Sequence, residues 1–84
     1  MTDAAGVRAV VELLARALTD RPDDVRVVES QHRTTTLVEL YVAPGDLGKV
    51  IGRQGRTAAA LRTLAATAGE REGKTVALEI REGP

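Results

Sequence analysis

The chain has 84 residues, with 12 Lys/Arg balanced by 12 Asp/Glu and no Cys; that length allows one domain with a thin core, because a domain this small buries only somewhat over ~60% of the surface its unfolded chain exposes. Without Cys there is no disulfide framework, thiolate metal site or cysteine nucleophile, and no apolar run approaches the ~18 residues of a membrane span. The amino end lacks the basic-then-apolar pattern of a signal peptide, so the expectation is one soluble, intracellular domain over residues 1–84.

Residues 3–19 read as an amphipathic helix, since Val7, Val10, Val11, Leu14 and Leu18 recur on one helical face. Thr2 or Asp3 suits its N-cap, and Pro22 stops it within the turn-forming run Asp20-Arg21-Pro22-Asp23-Asp24. Residues 25–30 and 34–43 are rich in β-branched side chains and alternate, so they predict a hairpin joined by Gln31-His32-Arg33. In its second strand Thr36, Val38, Leu40 and Val42 share one face and Leu37, Glu39 and Tyr41 the other. Pro44-Gly45 breaks that strand, and Asp46 stands where it can cap a short helix over 47–51. Residues 56–69 predict a longer helix with Ala58, Leu61, Leu64, Ala65 and Ala68 inward and Gly69 near its end. Residues 75–81 form a third strand with Val76, Leu78 and Ile80 inward. The predicted class is α+β in the order α-β-β-α-α-β, a three-stranded sheet covered by helices on one face.

Neutral overall does not mean evenly mixed. Residues 1–46 carry a balance of −3 and residues 70–84 a balance of −1, whereas residues 47–69 hold Lys49, Arg53, Arg56 and Arg62 with no acid, a balance of +4. Screening over about 8–10 Å lets such a local field survive a zero total.

Within that window lies Gly48-Lys49-Val50-Ile51-Gly52-Arg53-Gln54-Gly55-Arg56. Gly52 and Gly55 permit unusual dihedrals and close approach of another backbone. The first amides of the following helix lack intrahelical acceptors and point outward at the positive end of its dipole, which suits a phosphate. Lys49, Arg53 and Arg56 add charge around that point, Arg62 stands further along the helix, and Val50 and Ile51 offer an apolar side to bases. A Walker loop would place Lys directly after the last Gly, where Arg56 stands, and a dinucleotide fingerprint would place Gly where Val50 stands.

The apolar pair and Gly-x-x-Gly of Val50-Ile51-Gly52-Arg53-Gln54-Gly55 resemble the signature of the KH domain, whose loop clamps about four nucleotides of a single strand. The element order resembles the type II KH arrangement. The longer phrase Asp46-Leu47-Gly48-Lys49-Val50-Ile51-Gly52-Arg53-Gln54-Gly55-Arg56-Thr57, preceded by Val42-Ala43-Pro44, is similar to the small bacterial single-KH proteins of the KhpA family, from about Val7 to Ile80. The resemblance implies a cytoplasmic, non-enzymatic binder of single-stranded RNA, an RNA chaperone acting as a homodimer or with a larger KhpB-like KH protein and linked to cell-wall and cell-shape homeostasis. It implies RNA contacts at Gly48, Lys49, Val50, Ile51, Gly52, Arg53, Gln54, Gly55, Arg56 and Arg62, no cofactor, metal or small-molecule substrate, and no membrane partner. Ala58 stands where many KH domains carry a larger aliphatic, implying a shallower groove.

The remaining chemistry-bearing residues have plainer readings. His32 is a turn residue without companion ligands, and Asp23 and Asp24 are turn acids. Tyr41, the lone aromatic, falls on the sheet face away from the helices, and aromatic platforms of the RRM or OB kind are absent. The alanines of the second half are good helix formers or a seam for a second protein. A competing reading is therefore a KH-like module that mainly docks a partner protein.

Overall fold

The computed structural model describes residues 6–83. Helix α1 (Val7–Leu18) leads through a 3-10 turn at Pro22–Asp24 into β1 (Arg26–His32) and β2 (Thr35–Val42). A second 3-10 turn, Pro44–Asp46, precedes α2 (Leu47–Ile51), and a third, Arg53–Gly55, joins it to α3 (Arg56–Glu70). Strand β3 (Thr75–Glu82) follows. The sheet order is β1-β2-β3, with β1 antiparallel and β3 parallel to β2. Parallel neighbours need a crossover, and here the crossover is α2 and α3. The α2–α3 junction is therefore anchored at both ends by strands of one sheet.

Thr36, Val38, Leu40 and Val42 of β2 are buried and alternate with half-buried neighbours, as expected of a strand with helices on one face. Val38, Leu40 and Val42 pack with Val27 and Leu78 of the sheet, Val7, Val11 and Ala15 of α1, Val50 of α2, and Leu61 and Ala65 of α3. The predicted α-β-β-α-α-β order and one-sided α+β architecture, consistent with type II KH, are observed.

Several local expectations need correction. The N-cap expected at Thr2 or Asp3 lies outside the described residues, and α1 begins after Gly6. On α1, Ala15 joins Val7 and Val11 in the core while Leu18, the terminal helical residue, is exposed. On α3 the inward set is Ala58, Leu61, Ala65 and Gly69, with Leu64 47% exposed. At 3.6 residues per turn Leu64 lies about 100° around the helix from Ala65, off the buried stripe. Gly69 does lie near the end of α3, one residue before its last, and also packs closely on β3, since a Cβ there would collide with Val76 and stand 3.1 Å from the Lys74 carbonyl. Strand β1 also runs through Gln31 and His32, moving the turn to Arg33 and Thr34. Gln31 pairs with Thr36 and accepts its hydroxyl at 2.7 Å, which holds the strand in register past the expected end. His32 ends β1 with its Nε2 3.0 Å from the Ser30 hydroxyl.

Candidate nucleic-acid interface

The α2–α3 junction is a sharp turn built from positive-φ residues. Gly52 has φ 76° and ψ 173°, Gln54 φ 57° and Gly55 φ 74°. A Cβ on Gly52 would overlap the Thr57 side chain and sit 3.0 Å from the Thr57 amide, so Gly52 is required by both dihedral and space. Gly55 has open space where a Cβ would stand, and so does Gly48 on α2. The backbone is thus uncovered at both positions.

The turn settles which amides are free. Gly52 donates to the Gly48 carbonyl at 2.8 Å, Gly55 to the Gly52 carbonyl at 3.1 Å, and Arg56 to the Arg53 carbonyl. Among the described residues, the amides of Arg53 and Gln54 have no such acceptor. The expected free donors at the start of the second helix therefore sit partly upstream of it, within the turn. They lie at the amino end of a 15-residue helix with no acid in its first turn, where the dipole favours an anion.

The basic side chains differ in how free they are. Arg53 is exposed, and Arg56 is exposed with its guanidinium donating to the neutral Gln54 side-chain carbonyl at 3.0 Å. Arg62 donates from Nε to the Leu78 carbonyl at 3.3 Å, which places it against β3 rather than at the turn. Lys49 is tied to carboxylates, with Nζ 3.1 Å from Asp20 and 3.8 Å from Asp46. The acid-free window of the sequence is not acid-free in space.

Asp46 does not cap α2 as expected. It is 2% exposed, and its carboxylate accepts the backbone N–H groups of Asp20 at 3.1 Å and Arg21 at 3.0 Å. Burial pushes its pKa up, but those two bonds and the charges of Lys49 and Arg21 outweigh it, so the carboxyl is held below its ordinary value. Lys49 is shifted upward, chiefly by its bond to Asp20. Asp46 thus clasps the segment after α1 to the start of α2. Its spacing to Lys49 is visible in the sequence, but Asp20 is 26 residues away from Asp46 and gives no local signal.

The apolar pair also divides. Val50 is fully buried in the core and has no surface to offer a base, so only Ile51, half-buried, remains on that side. Consecutive helical residues point about 100° apart, which forbids both from sharing one face. Ala58 is buried beneath the helix start. A separate shallow cleft of about 220 Å³, lined by Asp23, Asp24, Val25, Arg26, Tyr41 and Gly83, includes none of the expected site residues, and Arg26 covers the Tyr41 ring 5.4 Å from its centroid.

Comparisons with known proteins agree with this architecture. A solved structure of Era in complex with MgGDPNP and nucleotides 1506–1542 of 16S ribosomal RNA matches 93% of this chain with a TM-score of 0.66 at 21% identity. This chain spans only 30% of that protein, so the likeness concerns the fold. The RNA-binding protein KhpA of Aquifex aeolicus is 49% identical over 78 residues, covering 93% of this chain and 99% of that one. The RNA-binding protein KhpA of Mycobacterium tuberculosis is 56% identical over 68 residues, covering 81% of this chain and 85% of that one. The family model described as KhpA/KhpB, KH domain, matches residues 8–80. With that match running from α1 into β3, the chain belongs to the KhpA/KhpB KH-domain family.

Proposed function

We propose that this chain is a non-enzymatic RNA-binding module that holds a single strand by its backbone at the α2–α3 junction. The observation that carries the reading is the turn itself. Two amides without acceptors, at Arg53 and Gln54, lie just before Gly55, which leaves the backbone uncovered, and beside exposed Arg53 and Arg56. The names of the relatives, RNA-binding proteins over nearly their whole length, support RNA as the polyanion. In this reading Gly48, Gly52 and Gly55 admit the strand closely, while the turn amides with Arg53, Gln54, Arg56 and Lys49 hold phosphates. Ile51 meets a base, and Arg62 adds a contact further along α3. Backbone contacts carry no sequence information, so broad sequence tolerance is expected.

One such module binds weakly, and a second KH module raises avidity through effective concentration. We assign that second module to another copy or to a KhpB-like protein, and the cellular role to RNA chaperoning in the cytoplasm with consequences for cell wall and cell shape. The KhpA resemblance supports this part of the proposal, as does a family description that names KhpA and KhpB together.

The test of the loop is Arg53→Asp combined with Gln54→Asp. Both side chains are exposed, so the thermal midpoint should stay nearly unchanged while RNA binding by fluorescence anisotropy is lost. Undiminished affinity in that variant rejects the loop as the site. Leu64, 47% exposed among Ala59, Ala60 and Thr63 on the outer side of α3, favours a second reading in which this face docks a partner protein. That reading expects Leu64→Glu or Ala66→Glu to abolish the oligomer or pull-down while Arg53→Asp/Gln54→Asp leaves it intact.

A further inference from the structure

Of the four cations in the basic window, Lys49 alone is in ion pairs among the described residues. Arg56 and Arg62 contact only neutral oxygens, and Arg53 forms no salt bridge. The geometry is asymmetric. Asp46 is buried and already satisfied by two main-chain N–H groups. The Asp20 side chain is 74% exposed, serves no other contact given by the structure, and reaches Lys49 Nζ at 3.1 Å. Lys49 itself is 45% exposed and lies one helical turn before Gly52. Asp20 contributes to the clasp on Asp46 through its backbone N–H, so its carboxylate is dispensable for that link.

We infer that Asp20 limits the affinity of the interface by competing with the incoming phosphate for Lys49. This rests on the loop reading proposed above and adds to it a positioning residue outside the motif, on the segment after α1. In the free protein Lys49 is held by Asp20. When a strand binds, the ammonium exchanges that carboxylate for a phosphate oxygen, so part of the gain is offset by the ion pair given up. Exposed pairs of this kind are weak enough to exchange readily.

The test uses the full chain and a fluorescein-labelled oligouridylate, with anisotropy titrations between about 50 and 200 mM salt. Asp20→Asn should tighten binding by about two- to fivefold, the range an exposed ion pair supplies. Because Lys49 reaches the phosphate in both proteins, the log–log salt slope should change by less than the ~0.7 of one single-strand phosphate contact. Asp20→Glu keeps the charge and should bind like the wild type. In a Lys49→Gln background, whose folding is checked by its melt because Asp46 loses a counter-charge there, Asp20→Asn should have no further effect. Equal tightening with and without Lys49 would show a general loss of negative charge and overturn the inference, as would unchanged affinity in Asp20→Asn. Arg53→Asp/Gln54→Asp separates the two levels. If that variant binds like the wild type, the loop reading fails and takes this inference with it. If it loses binding while Asp20→Asn is silent, only the present inference fails.

Discussion

Gly52 and Gly48 lie four positions apart and are glycines for opposite reasons. At Gly52 the backbone has φ 76°, and a Cβ would overlap Thr57. Backbone at φ 76° and ψ 173° is essentially restricted to glycine and costs other residues about 1–3 kcal/mol, so Gly52→Ala should destabilise by at least that much in urea denaturation. Thr57→Ala should not rescue it, because the Thr57 Cβ and amide also crowd the site. Gly48 sits inside α2 with open space around its missing Cβ. Gly48→Ala should therefore raise stability by about 0.5–1 kcal/mol through helix propensity, yet weaken RNA binding by filling the surface that the strand approaches. A variant that melts higher and binds as well as wild type would show that no backbone passes there. The glycine pair of the turn was legible because its spacing and basic flanks form a local pattern. The separate fates of Val50 and Ile51 were not, since an isolated apolar pair does not say which member points inward, and only the sheet beneath α2 decides.

Among the elements, the segment after α1 is clasped to the start of α2 by the buried Asp46 carboxylate, with the Asp20–Lys49 ion pair beside it. Because Asp46 has its folded pKa below the unfolded value of about 3.9, the folded state binds fewer protons near that pH, and stability rises with pH across the window. Its contribution is fully present above about pH 5 and is lost as pH falls through the lowered folded value. Asp46→Asn should lower the thermal midpoint at neutral pH and flatten the acid limb of a stability profile taken from pH 7 to pH 3; a variant profile parallel to wild type would remove the clasp from the account. Sequence pattern reached the start of α2 but assigned Asp46 to capping, because the acceptors' partners, the amides of Asp20 and Arg21, are brought in only by the tertiary fold. Helical periodicity was similarly informative but imperfect for α3. It marked Leu61 and Ala65 correctly and placed Leu64 inward, whereas the helix turns that side chain to solvent. Ala65→Leu should then cost about 1–3 kcal/mol by overpacking, and Leu64→Ser should change stability by no more than about 0.5 kcal/mol, both read from denaturant midpoints.

At the scale of the molecule, the question is how a chain of zero formal charge would attract a polyanion. The described fold measures 34 × 29 × 21 Å, whereas screening at physiological salt acts over about 8 Å. Charges on the far side of the sheet are therefore several screening lengths from the α2–α3 turn, and the strand would meet the local cations rather than the total. Arg81 illustrates the far side: it is tied to Glu39 and Glu79 on the helix-free face. If the turn is the site, binding should depend strongly on salt despite net neutrality, with a log–log slope of roughly −2 to −3 for three or four neutralised phosphates. Arg53→Ala and Arg56→Ala should each reduce that slope by about 0.7, and Arg81→Ala should leave it unchanged. Arg62→Ala is the informative intermediate. Six residues along α3 from Arg56, it stands about 9 Å further down the helix axis, with its guanidinium on the Leu78 carbonyl. A reduced slope in Arg62→Ala would extend the strand's path from the turn along α3 towards β3, whereas an unchanged slope would confine the path to the turn and assign Arg62 to holding α3 against the sheet.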